Sequence, residues 1–183
     1  MPELTCYTLA QLVAIVCPNE EKQAAYKSAR RIQNWVTAGL LRPAGLTHGG
    51  RGVHRTYDHH EIGKAAVLME LHRYHMPIRV LELVAGLFDD ARPIEESQFV
   101  SAVRPPSAGQ RLKQRKLARL LMQAWRSEGP VHLTMHAESE GDIGAELSTE
   151  PAKPKGAPSV IWVDLTAILS AVQSRLPEAN TDS

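Results

Sequence analysis

The stretch between Pro18 and Pro43 is the strongest constraint on how this chain folds. Pro18 and Asn19 break one apolar period, and a second then runs unbroken from about Glu20 to Ala38. Its apolar positions, Ala25, Ala29, Ile32, Trp35 and Val36, recur at helical spacing, with Asn19 as the expected cap. Gly39 supplies the backbone angle that ends a helix, Leu40 and Leu41 pack back, and Pro43 forbids continuation. Upstream, "TLAQLVAIV" predicts a short helix with Leu9, Leu12, Val13 and Val16 on one face and Thr8 as its cap. The chain thus starts with two helices in quick succession, the second exposing Lys27, Arg30, Arg31, Gln33 and Asn34. Arginine pairs with guanine edges in the major groove, and glutamine or asparagine with adenine edges. Two such helices fit helix-turn-helix recognition of DNA, and equally a helical hairpin with a polar outer face.

"HGGRGVHRTYDHHEI", residues 48–62, follows. Its glycines make a freely turning tip, and Val53, Arg55 and Tyr57 alternate as a short strand does. Asp58 caps a third helix, with Glu61 at the capping-box position. That helix runs through Ile62, Ala65, Ala66 and Met69. Pro77 then opens a fourth, whose apolar positions are Ile78, Leu81, Val84 and Leu87.

A net charge of +1 hides a segregation along the chain. Lys22 to Tyr57 holds seven Lys/Arg and no acid, and Ser97 to Ser127 again holds seven and none. From Glu128 onward nine acidic residues face three basic ones. Two acid-free basic runs suggest surfaces for a polyanionic partner; the plainer reading is two solvated helix faces, and the first run has further structure inside it.

The string "YTLAQLV…RRIQNWVTAGLLRP…HRTYDHHEI…LHRYHMPIRVLELV" resembles the DNA-binding domain of the MerR family, a winged helix-turn-helix, over about residues 7–85. "YTLAQLV" is similar to the family's entry into its first helix, and Trp35 with "GLLRP" to the end of its recognition helix. "HRTYDHHEI" is similar to the close of the wing, with His54 in place of a tyrosine. "HMPI" resembles the step into the fourth helix, with His75 in place of glycine. The link "CPNEEKQAAYKSA" is longer than the family's tight turn, so either the second helix starts early or a loop intrudes. The resemblance implies base contacts from Arg30, Arg31, Gln33 and Asn34, and phosphate contacts from Lys27, Arg51 and Arg55. His54 joins these on the wing, and Tyr57 either lends its hydroxyl to a phosphate or packs on the recognition helix.

Six of the eight histidines lie between 48 and 75, which raises the question of a metal. Zinc needs three or four converging ligands. His59 and His60 are adjacent and diverge by about 100° on a helix, and no second pair obviously meets His72 and His75. Wing histidines near phosphates are the better reading, and they would strengthen binding on gaining charge in mild acid. No Gly-Lys-Ser/Thr phosphate loop and no credible Ser/His/Asp set appears, so neither enzyme nor cofactor is expected. Cys6 and Cys17 lie about 15 Å apart along a helix and are expected as free thiols.

The second half departs from the family. Residues 89–110 read as a linker, and "RLKQRKLARLLMQAW" as a basic helix with an apolar stripe of Leu117, Leu120, Leu121, Ala124 and Trp125. "VHLTMHAES" and "VIWVDL" read as strands separated by a mobile loop, "DIGAELSTEPAKPKGAPS", and Asp164 or Thr166 starts a last helix. The expected fold is mainly α with small β. Residues 1–88 form a winged helix-turn-helix, 111–178 a helix-strand-strand-helix unit for dimerisation or partner binding, and 179–183 a disordered tail.

No apolar run approaches the roughly 20 residues of a membrane helix, and the N-terminus lacks a secretory pattern. The expectation is a cytoplasmic, bacterial or phage-type transcriptional regulator that binds double-stranded DNA as a homodimer. The alternatives are an excisionase-like architectural factor, or an interaction adaptor whose C-terminal half takes a protein partner.

Overall fold

The computed structural model describes residues 6–49, 52–91, 108–137, 142–151 and 159–177, with the backbone alone at 46–49, 52–54 and 108. Among these residues, six helices and two small antiparallel sheets make the chain mainly helical with minor β structure. It divides into two units, one comprising residues up to Ala85 and from Ala171 on, the other Gly86–Ser170. No described helix is long and apolar enough to cross a membrane.

In the first unit, β1 (Tyr7–Thr8) leads into α1 (Leu9–Val16). Thr8 closes a capping box: its hydroxyl oxygen accepts the Gln11 N–H, and the Gln11 side chain accepts the Thr8 N–H at 2.9 Å. Leu12, Val13, Ile15 and Val16 are buried. α2 (Lys22–Thr37) begins after a connection of residues 17–21, so the second helix starts early rather than behind a long loop. Asn19 is not its cap. It adopts a φ of 65°, a left-handed conformation asparagine tolerates, and spends itself turning the chain after Pro18. Glu21 takes the cap position without a side-chain cap bond.

α2 ends as its sequence requires. Gly39 sits at φ 78°, where a side chain would be strained. The Leu40 N–H donates to the Trp35 carbonyl at 2.9 Å and the Gly39 N–H to the Val36 carbonyl at 3.1 Å. This paired closure satisfies two carbonyls the helix leaves open. Leu40 and Leu41 turn inward and are buried.

β2 (Gly45–Gly49) and β3 (Gly52–Tyr57) form an antiparallel hairpin with Leu46 opposite Arg55. β1 adds to the other edge of β3, setting Tyr7 opposite Tyr57, in the order β1-β3-β2. In α3 (His59–Arg73), Asp58 caps the start by accepting the Glu61 N–H at 2.9 Å. Every residue from Glu61 to Met69 is buried. This includes the Glu61 and Lys64 side chains, fully buried and paired at 3.0 Å. The second Glu61 oxygen accepts the Arg42 N–H at 2.8 Å, fastening the turn after α2 to α3.

α3 closes as α2 does, with Met76 N–H to the Leu71 carbonyl and His75 N–H to the His72 carbonyl. Here His75, at φ 57°, occupies the position glycine takes after α2. α4 (Ile78–Ala91) carries the boundary between the units. Near the chain's end, Arg175 Nη1 donates to the Ile15 carbonyl at 3.0 Å, satisfying an open acceptor in the last turn of α1.

The second unit packs α5 (Ala108–Trp125) with β4 (His132–Ala137), β5 (Ile143–Ser148) and β6 (Val160–Asp164). β4 is central, with Leu133 opposite both Leu147 and Val163. α6 (Leu165–Gln173) is capped by Asp164, whose carboxylate accepts the Ala167 N–H at 3.0 Å. The Thr166 hydroxyl accepts the Val131 N–H and donates to the Gly129 carbonyl, tying the turn before β4 to α6.

Two expectations need correction. The helix-strand-strand-helix unit has three strands, because "IGAELS" pairs with β4 instead of joining the loop. Its alternation is muted: only Leu147 is buried, and Gly144 and Ala145 offer little contrast. The stretch 89–110 is helical at both ends, since Leu87, Phe88 and Ala91 continue the buried face of α4, and α5 starts at Ala108.

Candidate nucleic-acid interface

α2 has two faces of opposite character. Ser28, Ile32 and Trp35 are buried. The Trp35 ring lies edge-on to His72 of α3, with centroids 6.1 Å apart. At 100° per residue, Lys22, Gln23, Tyr26, Lys27, Arg30, Gln33, Asn34 and Thr37 fall on one arc of about 140°, and all are exposed. No residue of α2 is acidic.

Of the residues read from sequence, Lys27, Arg30, Gln33 and Asn34 share this exposed arc. Arg31 does not. It falls at the margin, half-buried, with Nη1 3.8 Å from the Met69 sulfur. Its place in the helical period turns it toward α3, so its presumed exposure is corrected. Tyr26 stands instead within the arc, 70% exposed, in line with Arg30, Gln33 and Thr37 at spacings of four, three and four. That spacing was legible in the sequence and points to Tyr26 as directly as it points to Arg30.

An open groove of about 850 Å³ continues this face, lined by Thr8, Leu9, Gln33, Thr37, Arg55 and Tyr57, among others. Three elements meet there: the start of α1, the last turns of α2 and the end of β3. The first-turn N–H groups of Leu9 and Ala10 have no acceptor within α1, so this corner carries partial positive charge without an acid in that turn. Arg55 is exposed on the groove wall. Tyr57 is buried to 1% exposure, and burial pushes its hydroxyl up from the ordinary tyrosine value; Arg55 opposes this and Glu61 adds to it. It remains protonated, with its ring in the packing between β3 and the neighbouring elements.

Arg51 lies outside the described residues, as does the His54 side chain, although His54 pairs with Thr47 through its backbone. The Tyr7 hydroxyl is hydrogen-bonded to Nε2 of His59 at 3.0 Å. Burial lowers the His59 pKa, with Asp58 opposing. The His72 pKa is also lowered, by burial first and then by Arg31 and His75. Both imidazoles are engaged in packing and are held toward the neutral form.

No protein-family model matches the chain, and no curated protein matches it.

Proposed function

We propose that the first unit is a MerR-like winged helix-turn-helix and that the protein is a sequence-specific, DNA-binding transcriptional regulator. The observation that carries this reading is the acid-free exposed arc of α2, with Tyr26, Lys27, Arg30, Gln33, Asn34 and Thr37 side by side. Such an arc offers forked and amide donors to base edges and cations to phosphates, which are the two kinds of contact a recognition helix needs. The groove beside it supports the reading, because Arg55 and the open N–H groups of α1 lie where a phosphate strand flanking the helix would run. The β2–β3 hairpin serves as the wing.

In this arrangement Arg30, Gln33 and Asn34 read bases, Tyr26 packs on the duplex, and Lys27 and Arg55 hold phosphates. A homodimer on a pseudo-palindromic site would use a surface other than the α5 stripe, whose Leu117, Leu120, Leu121 and Ala124 are already buried within one chain.

Selection from a random duplex library at low salt tests the proposal. A retained consensus is expected. Arg30→Ala should then relax base preference at one or two positions by about 1–3 kcal/mol, while Arg55→Ala weakens all sequences alike. A library from which no sequence is retained refutes the proposal.

A further inference from the structure

We propose that the outer face of α5 is a second binding surface, one that takes the phosphate backbone of nucleic acid without regard to sequence. The helix is sharply divided. Leu117, Leu120, Leu121 and Ala124 are buried at 6%, 8%, 7% and 0% exposure and occupy an arc of about 100°. On the opposite side Arg111, Arg115 and Arg119 are exposed, and Lys116 is exposed on the flank between them and the buried stripe. None of the 18 residues of α5 is acidic.

Among the described residues, the middle of this face is not tied into the fold by ion pairs. At the ends of the helix, Lys113 lies 4.0 Å from Asp90, and Arg126, just past it, 3.6 Å from Glu128. Between them Arg115, Lys116 and Arg119 have no carboxylate within 4.0 Å among the described residues. Arg115 and Arg119 stand at i, i+4, where like charges on a helix repel. A face meant only for solvent relieves such repulsion by interleaving glutamate, and here a polyanion would relieve it. From Arg111 to Arg119 the helix rises about 12 Å, a length over which duplex DNA presents about seven phosphates.

The preponderance of arginine on this face fits phosphate oxygens, which the guanidinium fork can bind in pairs. An acidic protein partner fits less well. The large apolar side chains exposed on this helix, Leu112 and Met122, are ten positions apart and form no common pocket. The inference draws on the proposed function only in naming the same polymer as ligand, and its test separates the two.

The full chain carrying Arg115→Gln, Lys116→Gln and Arg119→Gln is compared with the unaltered protein by fluorescence anisotropy on a random-sequence duplex over a range of salt. Three exposed glutamines remove repulsion and leave the buried stripe intact, so a retained melting temperature is the control for folding. The slope of log K against log salt should become shallower by about 2.7, at 0.9 per phosphate contact, with binding at low salt weakened roughly tenfold or more. Preference for a selected site, measured against the random duplex, should be unchanged. A second variant, Lys27→Gln with Arg30→Gln, should show the reverse, losing preference while the α5-dependent part of the slope persists.

An unchanged slope in the α5 variant overturns the inference and leaves the reading of α2 standing. Loss of random-duplex binding in the α5 variant, from a protein that shows no site preference, supports the inference and refutes the reading of α2. A change in molecular mass by light scattering, with duplex binding unaltered, overturns the inference and assigns the face to a second copy of the chain.

Discussion

Lys64→Met should be among the most destabilising single substitutions in the first unit. The Lys64 ammonium and the Glu61 carboxylate meet at 3.0 Å with both side chains fully buried. The carboxylate also accepts the Arg42 N–H at 2.8 Å. Methionine keeps most of the volume of lysine but removes the cation that neutralises a buried anion. Breaking a buried pair from one side costs about 3–5 kcal/mol, a large share of the roughly 5–15 kcal/mol that holds a domain together. For a unit of this size, that is a fall in melting temperature of about 12 °C or more. Adding Glu61→Gln removes the stranded charge while its amide oxygen still accepts the Arg42 N–H. The double variant should therefore recover about 1–3 kcal/mol relative to Lys64→Met. Urea denaturation followed by far-ultraviolet circular dichroism gives the stabilities, and amide exchange at Arg42 reports the local tether. If Lys64→Met lies within about 1 kcal/mol of the unaltered protein, or the two substitutions simply add, the pair is not held as a buried ion pair and the reasoning fails.

His75→Gly should raise stability by up to about 1 kcal/mol, because glycine relieves the left-handed φ of 57° at the close of α3; a lowered melting temperature would contradict this. His59 and His72 have folded pKa values below the unfolded one, so the unfolded chain takes up their protons first. Their contribution is complete above about pH 6.5 and is lost as pH falls through that value toward the folded pKa. Thermal melts from pH 7.5 to 5.5 should show declining stability, and a His59→Gln, His72→Gln variant a flatter profile; equal slopes would sink the assignment. Any gain in DNA affinity in mild acid then has to come from histidines other than these two. Burial pushes the Cys17 thiol up while Cys6 is exposed, so a maleimide at neutral pH should label Cys6 and spare Cys17 until the chain is unfolded, as peptide mass mapping would reveal.

Much of the candidate interface is visible in the sequence because helix faces are local. The period that buries Ile32 and Trp35 necessarily turns Arg30, Gln33 and Asn34 outward, and Gly39 fixes where that face stops. The same period carries Tyr26, whose ring is neither a cation nor an amide but shares their face. Arg31 lies beyond the edge of the arc, where the neighbouring helix decides a side chain's exposure, and its Nη1 lies 3.8 Å from the Met69 sulfur of α3. Tyr57 alternates in register with Arg55 but is buried, since β1 pairs alongside it and sets Tyr7 opposite.

Local sequence suffices for the positions of the helices, the caps at Thr8 and Asp58, the stop at Gly39, and the two acid-free helices α2 and α5, and it narrows the last cap to Asp164 or Thr166. Each of these depends on residues within a turn or two of one another, so composition and spacing suffice. Long-range contacts make Tyr7–Thr8 a strand and "IGAELS" another, and bring Glu61 and Lys64 together in the interior; the folded chain also selects Asp164 as the last cap and turns Asn19 away from capping α2. A two-residue strand has no pattern of its own and exists through partners some fifty positions away. A glutamate and a lysine three apart on a helix look like a solvated surface pair until the surrounding chain excludes water from both.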